Sequence, residues 1–128
     1  MRRIGRRVAL PMACFVLTGA GAAQAQGDPA EGEKVFAKCE ACHAVEEAEN
    51  GVGPHLVDIF GREAGSLEDF RYSDALKDSG IVWEDETIAE YVKAPRGLVP
   101  GTKMMFAGLK DDEETADLLA YLHAANGG

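Results

Sequence analysis

The chain has 128 residues, with 13 Lys and Arg against 22 Asp and Glu for a net charge of −9, and 46% of its residues are hydrophobic. That size and mix describe one small domain and exclude collagen-like, disordered and multi-span membrane chains, since charge is spread throughout and no low-complexity block occurs. The acidity also argues against nucleic acid as a partner, because a phosphate-binding surface needs a basic face.

Residues 1–25 read as a leader rather than as part of the fold. Arg2, Arg3, Arg6 and Arg7 form a positive start, a mostly apolar run extends from Val8 to Ala23, and Ala23-Gln24-Ala25 puts small residues at a cleavage site. The run is 16 residues long and contains Pro11, Thr18, Gly19 and Gly21. A spanning helix wants roughly 20 predominantly apolar residues. Cleavage after Ala25 and export to a bacterial periplasm are therefore expected, with Cys14 discarded and a retained anchor as the alternative. The expected domain, 26–128, has 103 residues and a net charge of −13, because the leader carries four Arg and no acid. A domain of that size buries only about 60–70% of its unfolded surface, which favours a staple or a cofactor in its interior.

The domain opens on a helix start. Asp28 can cap it, Pro29 pre-sets the first turn, and Val35 and Phe36 give an apolar face that runs up to Cys39. Next comes Cys39-Glu40-Ala41-Cys42-His43. In an oxidising compartment the two cysteines could form a disulfide. A thioredoxin-like redox pair expects a strand before the first Cys, where this chain reads as helix. A zinc site lacks ligands, since the domain holds two Cys and three His, and neither His55 nor His123 belongs to a second close pair. The pattern points to covalent haem attachment: one helical turn brings both sulfurs to one edge of the chain, for two thioethers, and holds the adjacent His43 at the iron.

Ser73 can cap a short helix ending at Gly80, and Asp85 another that carries Ile88, Tyr91 and Val92 before Pro95 stops it. A loop bounded by Gly97 and Gly108 and marked by Pro100-Gly101 then presents Met104 and Met105, about sixty residues after His43. Adjacent methionines in a loop are ordinarily soft packing. Beside a haem motif, Met104 becomes the candidate second axial ligand, a neutral thioether that favours the ferrous state and raises the potential. His55 and His123 are the rival ligands. The last helix starts among the carboxylates of 111–114 and places Leu118, Leu119, Tyr121 and Leu122 on one stripe, with Gly127 as its exit.

Over essentially the whole domain the chain resembles the class I cytochromes c, of the short bacterial type closest to the mitochondrial protein. The resemblance is carried by 32–36, Cys39 to His43, 53–56, Phe60-Gly61-Arg62, 72–75, Trp83, Tyr91, Pro100 to Phe106, and 116–122. It implies an all-α fold of helices and loops around one covalently bound haem c. The first and last helices would cross where Gly32 lets the backbones approach, with Phe36 meeting Leu118 and Tyr121. It implies that the Pro54 carbonyl accepts the imidazole proton of His43. Arg62, Tyr72 and Trp83 would serve the haem propionates, and Tyr91 and Thr102 would stand near Met104. Without the resemblance, Trp83 would read as core and Arg62 as surface. Leu76 departs from the family, standing where mitochondrial proteins usually carry Asn in a polar network beside the haem.

Six filled coordination positions leave no site for substrate, so the function implied is a one-electron carrier and not an enzyme. A haem-based gas sensor or peroxidase follows if Met104 binds weakly, and a small disulfide oxidoreductase if no haem is attached. The expected partners are membrane redox complexes, a quinol-oxidising cytochrome complex on one side and a terminal oxidase or photosynthetic reaction centre on the other. They would meet a monomer that is not membrane-embedded, through a modestly positive front of Lys38, Arg96, Lys103 and Lys110 on an otherwise acidic molecule.

Overall fold

The structure, a computed structural model, describes residues 27–127 together with Ala9, Pro11, Ala13 and Cys14; apart from those four, the expected leader and its cleavage point lie outside the described residues. Helix α1, Pro29–Phe36, starts where the Asp28 carboxylate accepts the Ala30 amide at 2.9 Å, with Pro29 in the first turn. Helix α5, Asp112–Ala125, is capped by Asp111, whose side chain accepts the Glu114 amide at 2.9 Å. The two cross as expected, and α1 packs against no other helix among the described residues. Contact is close enough that a Cβ on Gly32 would lie 1.9 Å from the Asp117 carbonyl oxygen. Beside it the Phe36 and Tyr121 rings sit 5.2 Å apart, and the Asp28 amide donates to the Asp117 carboxylate at 2.7 Å.

The short helices depart from the expected boundaries. Ser73 does cap α2, Asp74–Lys77, accepting the Leu76 amide at 3.1 Å, but the helix ends at Lys77 and not at Gly80. The Ser79 hydroxyl and amide both turn onto the Leu76 carbonyl, at 2.7 and 3.2 Å, and divert the chain before Gly80. In α3, Asp85–Lys93, Asp85 is the first helical residue, and the cap is Glu84. The Thr87 hydroxyl fixes that start, accepting the Glu84 amide at 2.8 Å while donating to the Val82 carbonyl at 2.7 Å. Pro95 does more than stop α3. It occupies the first turn of α4, Pro95–Leu98, where its missing N–H costs nothing, and it is fully buried.

Everything else is loop, with two isolated β-bridges, His43 to Asn50 and Glu63 to Val82, and no strand among the described residues. Two loops matter for the site. Residues 54–62 are tied to the end of α5, since Asp58, at φ +56°, donates its amide to the Asn126 side chain at 2.6 Å. The segment after α4 is drawn back onto the end of α3 by the Leu109 amide on the Val92 carbonyl at 2.7 Å and the Lys110 ammonium on the Lys93 carbonyl at 2.5 Å. There Gly108 passes so near that a Cβ would lie 2.2 Å from the Lys93 carbonyl oxygen.

Candidate functional site

Directly after α1 the backbone makes one further turn. The amides of Cys42 and His43 both donate to the Cys39 carbonyl at 3.0 Å, which sets the cysteines one turn apart with His43 next in line. Neither thiol is in a disulfide, and burial raises the Cys39 thiol above its ordinary range, with Lys38 pulling the other way. The following loop folds back on the turn through the Gly53 amide on the Cys42 carbonyl at 2.8 Å and the Leu56 amide on the Ala44 carbonyl at 2.7 Å. That return explains Gly53-Pro54. A Cβ on Gly53 would stand 2.4 Å from Cε1 of His43, and the Pro54 carbonyl oxygen lies 2.7 Å from Nδ1 of the same ring.

A carbonyl only accepts, so Nδ1 carries the proton and the Nε2 lone pair is left to bind a metal. Burial lowers the His43 pKa, with Pro54 partly opposing it, which keeps the ring neutral. The imidazole borders a cavity of about 290 Å³, together with Cys39, Cys42 and Met104. Its walls are largely carbon, from Leu56, Ile59, Leu76, Ile88, Leu118 and Leu122 among others. Met104 is half-buried against the core, whereas Met105, its neighbour, is 83% exposed. The Met104 amide donates to the Thr102 hydroxyl at 3.3 Å, and that hydroxyl sits 2.5 Å from the Tyr91 phenol, whose pKa burial raises.

Arg62, Tyr72 and Trp83 border the same cavity. The Arg62 guanidinium donates to the carbonyls of His55, at 2.8 Å, and Val57; it is in no ion pair among the described residues, and burial lowers its pKa. A half-buried cation without a bonded anion calls for a negative group in the cavity. Free thiols one turn apart, an imidazole with an open nitrogen, a thioether, apolar walls and this guanidinium together fit a haem with its carboxylates. Zinc does not fit: among the described residues no three His, Cys, Asp or Glu are grouped to hold a metal ion.

The structure thus gathers Cys39, Cys42, His43, Pro54, Arg62, Tyr72, Trp83, Tyr91, Thr102 and Met104 around one cavity, with Lys38 and Lys103 at its border. Arg96, Lys110 and the two rival histidines are not among the residues that line it. His55 is buried beside Arg62, with Nδ1 3.4 Å from the guanidinium, and His123 stacks on Phe60 at 3.8 Å and bonds Asp85 at 2.6 Å. Sequence reasoning missed Val52, Phe70 and Arg71, which also border the cavity. Their loop positions follow no hydrophobic period, so nothing in the spacing marks them.

Residues 29–126 match the family model for cytochrome c. The chain is 48% identical to cytochrome c2 of Blastochloris viridis over 88% of its own length and 89% of that protein, and 46% identical to cytochrome c-554 of Methylosinus trichosporium over 95% and 92%. Among solved structures, cytochrome cH from Methylobacterium extorquens superimposes with a TM-score of 0.72 at 44% identity, covering 77% of this chain and 99% of that one. A cavity built for a porphyrin and matches spanning the helical domain lead to one conclusion: the chain belongs to the class I cytochromes c, electron carriers that hold one covalently attached haem c.

Proposed function

We propose that this chain is a periplasmic one-electron shuttle in which Cys39 and Cys42 hold the haem by thioethers and His43 and Met104 are the axial ligands. When bound, the haem supplies an Fe(III)/Fe(II) couple, and the chain's own residues determine how easily that couple is reduced. Pro54 keeps the Nδ1 proton and so orients His43 and strengthens it as a donor. Thr102, itself bonded to Tyr91, holds the backbone of Met104. The carbon walls exclude water, and with it the dielectric response that would favour the more highly charged iron. Arg62 balances the propionates, and Tyr72 and Trp83 help to bind them.

One observation carries this reading: of the three histidines and two methionines in the domain, His43 and Met104 alone combine a place at the cavity with half-burial. Donor and acceptor are membrane redox complexes, a quinol-oxidising cytochrome complex and a terminal oxidase or photosynthetic reaction centre, met by a monomer after the leader 1–25 is cut off. Docking uses Lys38 and Lys103 at the cavity border with Arg96 and Lys110 farther out. Lys38 is partly offset by Glu114 at 3.3 Å. The test of the ligands is a spectrum of the purified protein whose mass shows one covalent haem. A low-spin ferrous spectrum with a weak Met-to-iron band in the oxidised form supports the shuttle; a high-spin spectrum with rapid carbon monoxide uptake overturns it. For docking, Lys38→Glu with Lys103→Glu is expected to slow association with an isolated oxidase or reaction centre by about tenfold at low salt, with the loss fading as salt rises.

A further inference from the structure

Met104 and Met105 adjoin in sequence and differ in surroundings. Met105 is 83% exposed at the border of the cavity. Its Sδ lies 3.4 Å from a terminal nitrogen of Arg96, an exposed residue of α4 that forms no ion pair among the described residues. A thioether is a weak acceptor and leaves most of that guanidinium's donor capacity unused. A sulfoxide oxygen in the same place would be a far stronger one.

We infer that Met105 is a modification site, an outer thioether that takes an oxygen atom from a peroxide-class oxidant and whose sulfoxide is held by Arg96. The sulfur lone pair attacks one peroxide oxygen and the O–O bond breaks. That oxygen stays on sulfur, the other departs with both protons as water, and sulfur gives two electrons to the peroxide. Only the sparing of Met104 depends on the proposed ligand reading, since there its lone pair is committed to iron; half-burial slows it independently.

Met105 and Met104 are the only methionines beyond the expected leader, so the experiment is simple to read. The oxidised holoprotein is titrated with hydrogen peroxide and followed by intact mass, peptide fragmentation, the Met-to-iron band and the guanidinium resonances of Arg96. The first oxygen is expected on Met105 at least about tenfold faster than on Met104, with the band unchanged and the Arg96 resonances shifted. Met105→Leu should slow uptake of the first oxygen by a similar factor. Equal oxidation of the two methionines, or undiminished uptake in Met105→Leu, overturns the site; unmoved Arg96 resonances overturn the part given to Arg96. A protein lacking the band before peroxide is added would defeat the ligand assignment instead, and the order of oxidation would still be read from the masses.

Discussion

At the α1–α5 crossing, backbone meets backbone: Gly32 lies against the Asp117 carbonyl, with Phe36 and Tyr121 sealing the flank. Around the cavity the helices supply only part of the wall and loops the rest, the loops being held by a few hydrogen bonds such as Gly53 to Cys42 and Leu109 to Val92, and together they face a cavity of about 290 Å³. The first region needs only the polypeptide. The second is complete only with the haem in place, so losing the haem should cost stability as well as colour, whereas a defect at the crossing should cost stability and leave the spectrum alone.

Breaking the haem side first has the largest expected effect. At about 24 cal/mol per Å³ a cavity of 290 Å³ costs at most about 7 kcal/mol, comparable with the whole stability of a small domain. Cys39→Ala with Cys42→Ala should therefore give a colourless chain that has lost most of its helical circular dichroism at 25 °C; a well-folded colourless variant would show that the loops stand alone. Breaking the crossing comes next. Gly32→Ala forces a methyl into the Asp117 carbonyl and should cost about 3 kcal/mol, seen as a fall in Tm of about 12 °C or more, with the visible spectrum of the surviving folded protein unchanged.

A third substitution separates packing from ligation. Met104→Leu nearly conserves volume and should cost under about 1.5 kcal/mol, yet abolish the Met-to-iron band and admit carbon monoxide, as absorption spectroscopy would record. The smallest effect is one of pH. Burial raises the Tyr91 and Tyr72 phenols above their ordinary value, so the folded state keeps protons that the unfolded chain releases near pH 10. Their contribution is complete below that pH and is lost as pH rises through the folded values. Tyr91→Phe should flatten the alkaline decline in thermal stability while costing about 1 kcal/mol at neutral pH through the lost bond to Thr102.

The same contrast explains what could be read in advance. Asp28-Pro29, the carboxylates of 111–114 and the leucines of α5 are local signals, and the helices form where those signals stand. Cys39, Cys42 and His43 carry their chemistry in their spacing. Pro54, Tyr91 and Thr102 have no such local mark, and the resemblance alone pointed to them; the structure brings Pro54 onto His43 and Thr102 beneath Met104. Glu84 carries no local mark as a cap because the start of α3 depends on the Thr87 hydroxyl reaching back to Val82, and α4 has none because a proline that ends one helix can begin the next. Lys110 has a contact that its charge alone does not announce, since its ammonium rests on the Lys93 carbonyl at the end of α3.

The amide of Asp28 finds its acceptor on Asp117, 89 positions later. A ribosome delivers the N-terminal end first, so α1 must wait for its mate until nearly all of the polypeptide has been made. Throughout that interval the thiols of Cys39 and Cys42, just past the end of α1, belong to an unfinished chain that cannot yet bury them. Until α5 exists, α1 and the turn after it therefore lack the partner they pack against, so the crossing is among the last long-range contacts that the order of synthesis allows to form.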